Sequence, residues 1–429
     1  MDYKKQRFGK VMNICYFDHY SVPPKYMGNR RTFDYAAKFV EFGHKVTIIS
    51  SSFIHRTDIN VLKNKEHIKT EKYQGVKYIW IRTFPKYQKN DYKRFLNMLS
   101  YLSTSQILQF KEKPDVIIGS FPTPFAALSG WLWSKKLGTK FVFEVRDLWP
   151  QVFIDLNKLK SSHPFVKFLY FLENSLYSKS DLVITSLPFA LNYFKKRGFN
   201  IKKVVYIPNG INACKNIDKK IKSLPSSLLN IMNNLKSQNK KIVIYTGALA
   251  VYSGLDTILK AASLIENSNI KNKVAFVFVG DGSEKNSLLD LSYKLKLKNV
   301  FFHSSIPRDL ILSLLNLADF AIFHVATSTY GQYGFNSNKL YDYLSVGIPV
   351  IFAAESPNDP VKESGCGISI PPQNPEAIVE AIKFLMNLSY TEIENMKKKG
   401  REYMLKYHDL NKLAHQYICT LERVIKNDS

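Results

Sequence analysis

The chain has 429 residues, of which 45% are hydrophobic and 14% aromatic, enough to build two full domain cores and to exclude a disordered chain. The formal net charge of +26 is uneven: residues 1–210 hold 35 Lys/Arg against 15 Asp/Glu, and the remainder 26 against 20. A basic excess confined to the first half attracts polyanions or an anionic membrane surface.

The first ten residues carry four Lys/Arg, and no apolar signal-peptide core follows them. Apolar runs then read as strands at Val11–Tyr16, Lys45–Ser50, Val76–Ile81, Val116–Ile118, Lys140–Phe143, Leu182–Ile184 and Val204–Ile207. Val116 to Trp133 is free of charge for 18 residues, the threshold for a membrane span. Gly119, Pro122 and Pro124 break it into a buried strand, a loop and a helix over about Phe125–Lys135. Glu173 falls inside a helix over Phe168–Tyr177 and reads as structural.

After Pro208-Asn-Gly-Ile211 the composition turns polar, rich in Lys, Asn and Ser, which suggests a linker with a short helix. Strands resume at Ile242–Tyr245, Val274–Val279, Val300–His303, Phe320–Phe323, Val350–Phe352 and Gly367–Ile370, and residues 387–426 are helical in pattern. Continuous apolar strands separated by amphipathic helices imply parallel sheets covered on both faces. The expectation is an α/β chain of two doubly wound Rossmann-like domains facing across a cleft: residues 1–210, a linker over 211–240, residues 241–404, and a final helix over 405–429 that packs back on the first domain. Ligands of such sheets bind beyond the carboxyl ends of the strands.

The densest chemistry lies in Tyr333-Gly-Phe-Asn-Ser-Asn-Lys-Leu-Tyr-Asp-Tyr-Leu-Ser-Val-Gly-Ile-Pro-Val-Ile351. A polar loop enters a short helix, which Gly347-Ile-Pro ends. A helix N-terminus offers unpaired N–H groups and a positive dipole end, which suit a phosphate. Lys339 adds a cation there, and Asp342 lies where a carboxylate can hold a pair of sugar hydroxyls. An ordinary strand–helix connection with a solvated Lys and Asp is the alternative. The four cysteines, Cys15, Cys214, Cys366 and Cys419, make no C-x-x-C pair, and His19, His163 and His303 have no ligand spacing around them. No metal is expected, and a reducing cytoplasm fits.

Taken in order, Gly43-His-Lys-Val46, Glu144-Val-Arg-Asp-Leu-Trp-Pro150, Ile207-Pro-Asn-Gly210, Tyr245-Thr-Gly247, Val279-Gly-Asp-Gly282 and the Asn338–Pro349 block resemble the retaining GT-B glycosyltransferases of family 4. The Glu144–Pro150 segment looks most like the bacterial amino-sugar and fucosaminyl transferases of surface-polysaccharide (O-antigen or capsule) synthesis. The resemblance implies a nucleotide-diphosphate donor, a UDP-sugar above all, with no cofactor and no metal. It puts Gly280 and Gly282 beside the base and the backbone of Ile306 at the base edge. Asp342 falls on the ribose hydroxyls, and Asn336, Ser337, Asn338 and Lys339 around the diphosphate. In the first half it puts Gly28 and Arg30 or Arg31 in a glycine loop near phosphate or acceptor. Asp147 becomes the residue that orients or deprotonates the acceptor hydroxyl, with Glu144 as runner-up and Arg146 beside them. Asp147 as an N-cap or ion-pair residue stays open.

Two departures accompany it. Gly334 stands where the family often has a glutamate. After the first strand of the second half, Gly247 and Ser253 are carried over as donor-binding positions, although Ala248 and Ser253 stand where many members have an Arg and a Lys. The segment Lys86–Leu102 mixes four cations with apolar residues at helical spacing and fits either an interfacial or a core-packed helix. With the basic first half, it favours peripheral docking on the inner face of an anionic bacterial membrane and a lipid-diphosphate-linked sugar as acceptor. A nucleotide-sugar-binding protein without catalysis and a UDP-sugar 2-epimerase remain as rival readings. Nucleic acid is not expected as a partner, because no stacking aromatics accompany the cations on one sheet face.

Overall fold

The computed structural model describes residues 10–55, 57–88, 91–155, 159–212, 224–326 and 331–426. Lys89, Cys214 and the basic residues before Lys10 lie outside these. The chain divides into two compact units, one made of residues 1–210 with 410–429 and the other of 211–409.

The first unit runs β1 (Asn13–Phe17), α1 (Arg31–Glu41), β2 (Lys45–Ser51), β3 (Ile68–Tyr73), β4 (Val76–Ile81), α2 (Tyr92–Ser105), β5 (Val116–Phe121), α3 (Pro124–Leu137), β6 (Lys140–Val145), α4 (Gln151–Asp155), α5 (Pro164–Lys179), β7 (Leu182–Thr185), α6 (Ala190–Lys196) and β8 (Val204–Tyr206). The eight strands order β3-β4-β2-β1-β5-β6-β7-β8, all parallel except β3, which pairs antiparallel with β4. The central strands are buried on both faces over most of their length, hence their largely apolar runs. The charge-free run from Val116 is β5, a short loop and α3, as its prolines imply; Pro124 opens the helix.

β3 is absent from the sequence expectation. Its residues Ile-Lys-Thr-Glu-Lys-Tyr alternate without a full apolar face, and it forms the charged edge of the sheet.

The second unit runs α7 (Ser226–Ser237), β9 (Lys241–Thr246), α8 (Leu255–Glu266), β10 (Val274–Val279), α9 (Lys285–Lys294), β11 (Val300–His303), α10 (Arg308–Leu315), β12 (Phe320–His324), α11 (Asn338–Val346), β13 (Val350–Ala353), α12 (Pro360–Ser364), β14 (Gly367–Ile370), α13 (Pro375–Asn387) and α14 (Tyr390–Tyr407). Its six strands order β11-β10-β9-β12-β13-β14, all parallel. In both sheets the order reverses direction beside the first strand, which opens a crevice at the strands' carboxyl ends.

The last helix, α15 (Leu410–Lys426), belongs to the first unit. Leu410, Leu413, Ala414, Tyr417, Ile418 and Leu421 share one core with Phe33, Ala36 and Phe39 of α1. Their i, i+3, i+4, i+7 spacing makes one apolar stripe.

Candidate functional site

In the second unit the crevice is built by loops that lock onto one another. Gly247 N–H donates to Val279 O at 3.0 Å, Leu249 N–H to Asp281 O at 3.0 Å, and Glu284 N–H to Leu249 O at 3.0 Å. A Cβ on Gly280 would stand 1.8 Å from Gly247 O, and one on Gly282 would stand 2.1 Å from Leu249 O. The two glycines are therefore required by backbone packing between the loops after β9 and β10. That is a reason different from the ring approach read in the sequence.

Asp281 extends the lock to the next loop, accepting from Ser305 N (2.7 Å) and Ser305 Oγ (2.8 Å) as well as from Lys285 Nζ (2.6 Å). Ile306 follows directly. Its side chain is buried, while its backbone N–H and C=O reach no other described residue.

α11 starts beside this assembly. Ser337 is its N-cap and makes no side-chain cap hydrogen bond, so the first turn keeps donors to offer. Asn336, Ser337 and Asn338 are half-buried in the approach to it. The helix is anchored from below, where Tyr343 Oη accepts from Thr246 N–H at 2.8 Å. The preceding loop is clamped by Asn358, which accepts from Phe335 N–H (2.8 Å) and donates to Phe335 O (3.0 Å).

Lys339 reaches back across the first turn to Gly247, whose Cβ would lie 3.5 Å from its Cδ. Its Nζ donates to Tyr245 Oη at 2.8 Å and lies over the rings of Tyr245 (4.5 Å) and Phe323 (5.2 Å). Among the described residues no carboxylate pairs with it. Burial pushes its pKa down to about 8. Tyr245 Oη in turn donates to Ala248 O at 2.8 Å and lies 3.2 Å from Ser253 Oγ.

Ser253 is fully buried and belongs to this support. Its carbonyl also accepts from His324 Nδ1, because His324 Nε2 accepts from Gln373 N–H and so leaves the proton on Nδ1. Asp342, one turn on from Lys339, is half-buried and paired with Arg308 at 3.6 Å. Gly334 takes φ +86°, a conformation that disfavours the glutamate of the family pattern.

In the first unit the strand ends gather a second cluster. Asp147 accepts from Leu148 N–H at 3.1 Å and keeps part of its surface open. The protein packed round it withdraws enough water to raise its pKa to about 6, against the lowering pull of that hydrogen bond and of Arg146 and Arg94. Arg146 is turned away from the opening, its guanidinium lying 3.2 Å from each oxygen of the fully buried Asp18. Asp18 also accepts from Thr32 Oγ1 at 2.6 Å, so Arg146 positions the β6 loop.

Glu144 is buried and engaged by Arg31 Nε (3.2 Å), Ser120 Oγ (3.0 Å) and Tyr417 Oη (3.4 Å). The rest of the Arg31 fork is taken by Ile207 O, Pro208 O and Asn209 Oδ1. Neither side chain is presented to a ligand, which corrects the catalytic reading of Glu144 and the phosphate reading of Arg31. Arg30 pairs with Asp34 at 3.2 Å and stays half-buried, next to the exposed Gly28.

Glu173 is buried and bonded by Tyr193 Oη (2.7 Å), the structural role its helix position implies. Phe323, Arg308, Asn358 and Asp18 were not singled out in the sequence, and Tyr245 appeared there only as the first residue of a motif. Only Arg308, a cation two residues past Ile306, gave a local signal.

Among the described residues no three His, Cys, Asp or Glu side chains gather to hold a metal ion. No helix among the described residues is long and apolar enough to cross a membrane.

Comparison with known proteins agrees with this architecture. Residues 28–214 match the family Glycosyltransferase Family 4, and residues 229–403 match Glycosyl transferases group 1. A protein of Escherichia coli (strain K12) named as colanic acid biosynthesis glycosyl transferase WcaI is 23% identical over 403 residues, covering 90% of this chain and 94% of that protein. The sucrose-phosphate synthase of Thermosynechococcus elongatus has the same fold, with a TM-score of 0.72 and 17% identity over 97% of this chain and all of that one. So does Anabaena HepE, solved with UDP and glucose, with a TM-score of 0.66 and 15% identity over 96% and 99%.

Proposed function

We propose that this chain, a GT-B glycosyltransferase of the group 1 and family 4 type, moves a sugar from a uridine-diphosphate donor to a hydroxyl of a lipid-diphosphate-linked acceptor, with retention, in surface-polysaccharide synthesis. The observation that carries the reading is Lys339, a cation without a carboxylate partner among the described residues, held between two rings at the open start of α11. A group of that kind is costly to bury unless an anion comes to it. A diphosphate supplies that anion and also suits the positive dipole end and N–H groups of a helix N-terminus. Asp342 then takes the ribose hydroxyls and the Ile306 backbone the base edge. The colanic acid relative supports the polysaccharide context, and the UDP complex of HepE supports the donor class.

In the transfer step the C1–O bond to the diphosphate breaks as the acceptor oxygen bonds to C1 on the same face. The electron pair leaves on the diphosphate, where Lys339 and the α11 amides stabilise it in place of the family's Arg and Lys. Above its pKa Asp147 is ionised and orients the acceptor hydroxyl or accepts its proton. No metal is needed for these roles. We assign the protein to the inner face of the cytoplasmic membrane as a peripheral enzyme.

The test is a donor screen that follows nucleotide release with short-chain lipid-diphosphate sugars. If no nucleotide diphosphate binds and Asp342→Ala changes nothing, the reading fails. Gly334, Ala248 and Ser253 favour one competitor, a nucleotide-sugar-binding protein without catalysis. Saturable donor binding with no turnover on any acceptor would identify it.

A further inference from the structure

Helices α2, α3 and α5 form one layer on a single side of the first sheet. Phe95 of α2 packs against Phe125 of α3 (5.3 Å) and Phe165 of α5 (5.4 Å). The buried sides of α2 and α3 meet the sheet through Tyr101, Ala126 and Trp133.

The outward side is apolar where a solvated surface would be polar. Tyr92 (69% exposed), Leu96 and Leu99 stand one turn apart on α2, Phe168 and Phe171 (65%) on α5, and Phe84 (61%) beside α2, where its N–H donates to Ser100 Oγ. Leu128, Trp131 and Leu132 of α3, between them, are partly exposed. Glu173 is the one acid on the three helices, and it is buried.

Exposed lysines frame the patch: Lys86 and Lys93 at one end, Lys167 within it, and Lys135, Lys136 and Lys179 at the other. At that second end a groove of about 780 Å³ opens, lined by Lys113, Lys135, Lys140, Lys179 and Trp131, with Asp115 and Asp181. Lys179 Nζ lies 4.1 Å from the Trp131 ring centroid.

We infer that this outer face, with its lysine groove, is the surface through which the first unit rests on an anionic phospholipid bilayer. The inference rests on the peripheral reading above and assigns it to particular side chains. An apolar face rimmed by an excess of lysines, with a tryptophan at the rim, has the chemistry of the boundary between acyl chains and phosphates. A soluble partner of matching character would need acids to meet the lysines around a large apolar centre. A bilayer of anionic lipid supplies both layers at once. The groove takes headgroup phosphate.

The test uses the full chain with vesicles of phosphatidylcholine, with and without phosphatidylglycerol, in a flotation assay at low and high salt. The wild type is expected to float only with phosphatidylglycerol and to be released by salt. The double variant Leu96→Asp/Phe171→Asp changes exposed positions, and Lys135→Glu/Lys179→Glu changes surface charge alone. Each should weaken vesicle binding at least about tenfold. Circular dichroism melting checks that they fold, and if the aspartates unfold the chain, the glutamate pair decides.

Absence of vesicle binding, equal binding to neutral vesicles, or binding unchanged in the variants overturns the inference. So does a lipid-free dimer in sedimentation velocity that Leu96→Asp/Phe171→Asp breaks, which would make a second copy the occupant. Donor turnover on a water-soluble acceptor is measured in parallel. Its survival when vesicle binding fails leaves the transferase reading intact, and its absence in the wild type counts against that reading alone.

Discussion

Asp342 of α11 and Arg308 of α10 face each other across 3.6 Å, so the carboxylate read as the ribose contact is held by a cation at the start of α10, two residues past Ile306. The pair is partly solvated, and an ion pair of this kind contributes about 0.2–1 kcal/mol. Arg308→Ala is expected to weaken donor binding by roughly two- to fivefold through lost orientation. Asp342→Ala removes the hydroxyl contacts themselves and should cost about 1.5–3 kcal/mol, roughly 10- to 150-fold. Isothermal titration with the nucleoside diphosphate separates the two; equal losses would mean that Asp342 acts only through Arg308.

Lys339→Met keeps the length and apolar stem of the side chain and removes the charge. The rate of transfer should fall by about 10²–10³-fold if Lys339 stabilises the departing diphosphate. The melting temperature should hold or rise, since a half-buried cation no longer has to be desolvated. A lower melting temperature with an unchanged rate would reassign Lys339 to packing on Tyr245 and Phe323.

The pH profile of kcat/KM should be bell-shaped. Asp147 acts ionised, so activity rises with pH through about 6; Lys339 acts protonated, so activity falls as pH passes about 8. Bound donor holds the proton on Lys339, so the alkaline limb of kcat should move upward relative to that of kcat/KM. Asp147→Asn should abolish the acid limb and lower transfer by about 10²–10⁴-fold while donor affinity stays. An acid limb that persists in that variant would remove Asp147 from the chemistry.

Arg31→Met tests the opposite kind of residue. It leaves Glu144 charged and buried without its partner, at a cost of about 3–5 kcal/mol. For a unit of this size that lowers the melting temperature by roughly 6–20 °C. Calorimetry should show the loss in the transition of the first unit, while donor affinity in the folded protein is kept.

The sheets were legible because strands buried on both faces announce themselves as apolar runs. Val76–Ile81 and Val274–Val279 fall where their composition puts them. β3 was not, because an edge strand with Lys69, Glu71 and Lys72 carries no such run. At the site, Lys339 and Asp342 stood out because they sit in a recognisable loop–helix junction. Their partners did not: Tyr245 looked like strand core, and Asn358 like loop filler. Glu144 and Asp147 lie three residues apart in one motif and have opposite fates. Strand pairing turns Glu144 inward to Arg31, while Asp147 lies in the turn beyond the strand, and nothing in their types distinguishes them.

The assignment of α15 to the first unit has a consequence for the order in which the protein is made. The whole second unit is encoded inside the first, between Gly210 and Leu410. During synthesis the second sheet has every strand available before the ribosome has released the helix that covers Phe33, Ala36 and Phe39. Until Tyr417 arrives, Glu144 and Arg31 lie under an open apolar seam, so the amino-terminal half spends the longest time unfinished and completes its core last. Cutting the chain between Asp409 and Tyr417 would therefore injure the first unit rather than the second.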